Sequence, residues 1–131
     1  TPYFTRKPPK SLDREAFDPA PVRMLSLSDA VATLAAFTVR SVERALAHMP
    51  EAPLRWLVCG GGRHNKTLMA MLSDVLPQPV RPVEAAGLDG DMIEAQAFAL
   101  LAVRSLKGLP ISYPKTTNAP RPLTGGRLQN P

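Results

Sequence analysis

A chain of 131 residues, 44% hydrophobic and 21% charged, has the balance of one ordinary globular domain, and its length allows a core. Its net charge of +5 comes from scattered Lys and Arg, with 5% aromatic residues, so it lacks both the basic cluster and the stacking platform of a nucleic-acid binder. No apolar run approaches the ~18 residues of a membrane span, and the basic, Pro-rich start has no secretory apolar stretch behind it.

Residues 1–27 read as a Pro-punctuated leading segment without a core-forming pattern, and the first residue is Thr, as expected of a processed or truncated piece. Ser28 is the predicted N-cap of a helix running to about His48, with Asp29 in its first turn and an apolar stripe through Val31, Leu34, Val42 and Leu46. Pro50 and Pro53 end it. Arg55–Cys59 is a short apolar run that reads as a buried strand and stops at Gly60-Gly61-Gly62. Asn65 caps a second helix with Leu68, Met69, Leu72, Val75 and Leu76 on its apolar face, and Val80–Val83 reads as a further strand weakened by Pro82.

A third helix, about Met92 to Lys107, carries Asp91 and Glu94 at its start and Arg104 and Lys107 at its end, which suits the helix dipole, and Gly108 follows as C′ residue. Its run of Ala, Phe and Leu leaves almost no polar face, so it is expected to be largely buried. From about Leu109 the chain is a Pro/Gly/Thr tail. Helices alternating with apolar strands indicate an α/β layer architecture. The thin sheet and the apolar third helix indicate part of a larger domain, with residues 28–131 as the folded portion.

The strongest local signal for chemistry is strand, triple glycine, helix. Glycines let backbone approach a ligand, and the following helix start offers free N–H groups for a phosphate or nucleotide. The alternative is a tight strand-to-helix turn that binds nothing. Neither the phosphate-loop ending nor the dinucleotide spacing is present. Asp89, Asp91 and Glu94 form a second signal: capping and dipole compensation account for the two aspartates, whereas Glu94 heads an apolar helix and is expected to have a specific partner. Cys59 is expected to be an inert buried strand residue. As the only cysteine it forms no internal disulfide, and with only His48 and His64 no Cys/His metal spacing exists. Such cysteine usage fits a reducing cytoplasm. Lys10-Ser11 reads as solvated loop.

Four stretches together resemble the C-terminal part of the anhydro-N-acetylmuramic acid kinases. They are Pro8-Pro9-Lys10-Ser11 with Arg14-Glu15; Cys59-Gly60-Gly61-Gly62-Arg63-His64-Asn65; Gly87 to Ala99; and Gly108-Leu109-Pro110-Ile111 followed by Thr116-Thr117 and Pro122-Leu123-Thr124-Gly125-Gly126-Arg127-Leu128. The resemblance covers nearly the whole chain; Leu12-Asp13 departs from the Thr-Gly usual after Lys-Ser in the family. It implies part of the second lobe of an actin-like sugar-kinase fold. It also implies an ATP- and Mg²⁺-dependent reaction in which water opens a 1,6-anhydro ring while the 6-oxygen takes a phosphoryl group. The family's general-base segment, similar to Asp-Thr-Gly-Pro-Gly-Asn, is absent here, so no catalytic residue is expected in this chain and the isolated chain is expected to be inactive. Carried over residue by residue, Gly60, Gly61, Gly62 and Asn65 are implied ATP contacts and Glu94 an implied sugar contact. The implied partners are the remainder of the same enzyme and a second copy in a homodimer. A non-catalytic nucleotide-binding module is the other reading.

Overall fold

The computed structural model describes residues 2–129; Thr1 of the leading segment, and Asn130 and Pro131 of the tail, lie outside them. The chain runs through α1 (Ala20–Arg23), α2 (Leu27–Ala45), β1 (Trp56–Val58), α3 (Lys66–Val75), β2 (Val80–Pro82), α4 (Ile93–Leu106) and α5 (Pro114–Thr117), joined by short 3₁₀ turns. The strands pair in parallel with Trp56 opposite Val80 and Val58 opposite Pro82, and α3 forms the crossover between them. The fold is therefore mixed α/β with one small parallel sheet, as the alternation predicts.

The core lies where α2, α3 and the sheet meet. Val39 of α2, Leu72 and Leu76 at the end of α3, and Val80 of β2 are buried together, with Trp56, Val58 and Leu68 packed around them. Leu57 points the other way and stays exposed, so β1 is covered on one face rather than buried.

The first long helix starts two residues earlier than Ser28 implies. Ser26 is its N-cap: Ser26 Oγ accepts from the Asp29 N–H at 3.2 Å and its hydroxyl donates to Asp29 Oδ2 at 2.8 Å. This reciprocal pairing of residues three apart favours Ser26 over Ser28. The leading segment also has a pattern after all. Tyr3 and Phe4 stack edge to face, and Phe4 and Phe17 both meet Phe37 of α2, with ring centroids 5.8 and 5.4 Å apart. His48 Nε2 donates to the Phe4 carbonyl at 2.9 Å. Lys10 donates to the Tyr3 carbonyl at 3.0 Å and lies 4.8 Å from the Tyr3 ring centroid, so it anchors this cluster rather than standing in solvent. The aromatics are aperiodic in sequence, which hides the cluster from a pattern search.

The third helix departs most from expectation. No residue of α4 is buried, and Phe98, Leu100 and Leu106 are 64%, 62% and 68% exposed. Its composition is that of an interior helix, yet among the described residues its C-terminal half is met by the tail and leaves these side chains exposed. Ser105 Oγ donates to the Gly125 carbonyl, and Ile111 and Leu128 border the apolar groove between α4 and the tail. Among the described residues, no helix is long and apolar enough to cross a membrane.

Candidate functional site

β1 ends at Val58, and the chain turns sharply through Cys59 and Gly60. Gly60 has φ +69°, a left-handed conformation that glycine adopts without cost. A 3₁₀ turn, Gly61–His64, then delivers the chain to α3, and Asn65 caps that helix with Oδ1 accepting from the Leu68 N–H at 3.0 Å. Such caps contribute about 1 kcal/mol.

Across from this turn stands the start of α4. Cys59, Gly60, Gly61, Asp91, Ile93 and Glu94 line one open cleft of about 530 Å³. A Cβ on Gly60 or Gly61 would meet nothing within 4 Å, so the bare backbone of both faces open space. The structure thus brings Gly60, Gly61 and Glu94 to one place. Gly62 and Asn65 are not brought there: Gly62 sits over Leu68, 3.4 Å from where its Cβ would be, and the Asn65 side-chain oxygen is engaged in the cap. Cys59 is exposed at the cleft, not buried, because β1 stops one residue before it. Glu94 stands exposed in the first turn of α4. Among the described residues it forms no side-chain hydrogen bond or ion pair, so the specific partner expected for it is not found within these residues.

The residue that sequence reasoning missed is Arg63. Its side chain is 4% exposed and bridges both sides of the cleft. Nε donates to Glu84 Oε1 at 2.7 Å, Nη1 to the Gly60 carbonyl and to Asp91 Oδ1, each at 2.9 Å, and Nη2 lies 2.8 Å from Asp91 Oδ2. The Asp91 pair is bidentate, the geometry a planar guanidinium favours. The guanidinium, through Nε and Cζ, and the adjoining Cδ lie on Gly90, where a Cβ would come within 2.7 Å of Arg63 Cζ. That contact accounts for glycine between two aspartates. Gly90 N–H donates to Glu84 Oε1 at 3.3 Å and its carbonyl accepts from the Gly60 N–H at 3.2 Å.

Asp91 therefore serves the arginine, and Asp89 Oδ1 accepts from the Asp91 N–H at 2.9 Å; neither caps α4, whose N-cap residue is Met92 with no side-chain cap. Among the described residues no three metal-ligating side chains converge. Hydrogen bonds from its own backbone N–H and then from Arg63 hold the Glu84 carboxyl below its ordinary pKa, and Arg63 does the same for Asp91. Groups depressed in the folded state stabilise it fully above their unfolded pKa, about 4, and that stabilisation is lost as pH falls through the depressed values. Carboxyl-carbon NMR titration should show Glu84 and Asp91 still ionised below pH ~4; ordinary midpoints for both would contradict the bridge.

Comparison with known proteins puts this turn and helix start in a sugar-kinase family: residues 1–130 match the family model described as anhydro-N-acetylmuramic acid kinase. The chain belongs to that family. It is 60% identical over 124 residues to the anhydro-N-acetylmuramic acid kinase of Rhodospirillum rubrum, covering 95% of this chain and 33% of that protein. The enzymes of that name from Caulobacter vibrioides and Zymomonas mobilis are 55% and 53% identical over 98% and 96% of the chain, and 34% of each relative is covered. The chain spans about a third of the length of the curated relatives it matches.

Proposed function

We propose that these residues are the C-terminal part of an ATP-dependent kinase that opens 1,6-anhydro-N-acetylmuramic acid with water and phosphorylates its 6-oxygen, giving N-acetylmuramate 6-phosphate and ADP. The setting is peptidoglycan recycling in the cytoplasm. The observation that carries the reading is the shared cleft: bare glycine backbone on one wall and the Glu94 carboxylate on the other. Gly60 and Gly61 take the nucleotide side, where backbone without a Cβ allows close approach. Glu94 takes the sugar side, where a carboxylate accepts hydrogen bonds from hydroxyls. The sheet and its helices belong to the second lobe of an actin-like fold, and the remainder of the same polypeptide supplies the general-base aspartate. ATP chemistry of this class uses Mg²⁺ to neutralise phosphate charge. Asp91 is already paired to Arg63, and among the described residues no three ligating side chains converge, so we assign the cation's ligands to that remainder as well.

The test compares the full-length polypeptide carrying this segment with the isolated 131-residue chain, both given ATP, Mg²⁺ and the anhydro sugar. Formation of the 6-phosphate by the full-length protein alone is the expected result. Turnover by the isolated chain would overturn the assignment of the base outside it. Nucleotide binding without turnover by the full-length protein would favour a non-catalytic nucleotide-binding module.

A further inference from the structure

We propose that Arg63 is a positioning residue, one that fixes the separation of the two cleft walls and so keeps nucleotide and sugar in register. The inference rests on the kinase reading above and deepens it.

Three observations carry it. First, the contacts of Arg63 fall on both walls. The Gly60 carbonyl belongs to the glycine turn, and Asp91 directly precedes the α4 N-cap Met92, three residues before Glu94. Glu84, from the 3₁₀ turn Val83–Ala86 after β2, braces the same guanidinium from a third side. Second, the walls also meet through backbone, Gly60 N–H to the Gly90 carbonyl at 3.2 Å, and the Arg63 guanidinium and its Cδ occupy the space a Cβ on Gly90 would take. A side chain at that position would push the walls apart. Third, Arg63 is not itself a phosphate ligand. Its side chain is 4% exposed and all of its guanidinium nitrogens are engaged within the protein. It acts on the bound molecules only through Gly60 and the start of α4.

Planarity matters to this role. A guanidinium can serve a carboxylate bidentately while its remaining N–H groups reach a carbonyl and a second carboxylate; an ammonium is a point charge and cannot hold that geometry.

The test uses the full-length polypeptide, with KM for ATP, KM for the anhydro sugar, kcat and melting temperature measured for wild type, R63K, R63Q, D91N and the R63Q/D91N double variant. The expected result is that R63Q raises both KM values by about tenfold, the order of one charge-assisted contact. R63K recovers part of that loss, and the R63Q/D91N double variant is no worse than R63Q, because both changes break the same bridge. A merely structural role would lower kcat through loss of folded enzyme and leave both KM values alone; that outcome overturns the proposal. A rise in only one KM also overturns it, since the residue would then serve a single wall. Should R63Q fail to fold, D91N decides the matter, because it leaves the Glu84 and Gly60 contacts in place. Failure of the underlying kinase reading is seen separately, as a wild-type protein with no turnover of the sugar.

Discussion

Gly61→Val in the full-length polypeptide is expected to raise the KM for ATP roughly tenfold to a hundredfold and to leave the melting temperature near its wild-type value. The three glycines of the turn are not equivalent. Gly60 needs its left-handed conformation, and a Cβ at Gly62 would touch the Leu68 side chain rather than the cleft. Gly61 is not among the positive-φ residues, and nothing lies within 4 Å of its would-be Cβ. A valine there fits the fold and projects into the cleft. Crowding of a well-fitted contact costs about 1–3 kcal/mol, and each 1.4 kcal/mol is about tenfold in affinity. An unchanged KM in a normally folded variant would show that the turn is scaffold and that nucleotide binds elsewhere.

The second large effect concerns stability. Leu72→Ala should cost about 2–5 kcal/mol in denaturant unfolding. Leu72 is 5% exposed in the cluster formed with Val39, Leu76 and Val80, and among the described residues the buried hydrophobic set is these four and Val83. For a domain with ~5–15 kcal/mol in total, so small a core makes each member a large share. Phe98→Ala, a bigger truncation on paper, should change the stability of the 131-residue chain by no more than about 0.5 kcal/mol, because Phe98 is 64% exposed. Equal losses from the two variants would mean that α4 packs on this chain in a way the structure does not contain.

Local signals were the readable ones. The Asn65 cap, the glycine turn, Gly108 after α4 at φ +62° and the order of helices and strands all follow from spacings of a few residues. What was illegible depends on residues far apart in sequence. Arg63 finds Glu84 and Asp91 at separations of 21 and 28 residues, and its place beside the glycine turn names neither partner. Phe4 and Phe37 meet through a leading segment that looks patternless until α2 is laid beside it. The burial expected of α4 is not found: composition marks an apolar helix, but it does not say what, if anything, in the same stretch of chain packs on it. At the site, Gly60, Gly61 and Glu94 were legible as residue types suited to a ligand; Gly62 and Asn65 were given the nucleotide role through the family resemblance, and the turn places one beside Leu68 and the other in a helix cap.

Pro82 gives the sheet a direction of growth. Trp56 N–H donates to the Pro79 carbonyl at 2.8 Å, so Pro79 and Arg81 face β1 and, by the alternation of a strand, Val80 and Pro82 face outward. Proline has no N–H to offer on that outer side, which blunts β2 as a terminal edge. The outward-facing backbone of Leu57 on β1 keeps both its donor and its acceptor. Among the described residues the ladder is thus a two-rung start with one closed side and one open side, and any further strand belongs beside β1, next to the run that leads into the glycine turn.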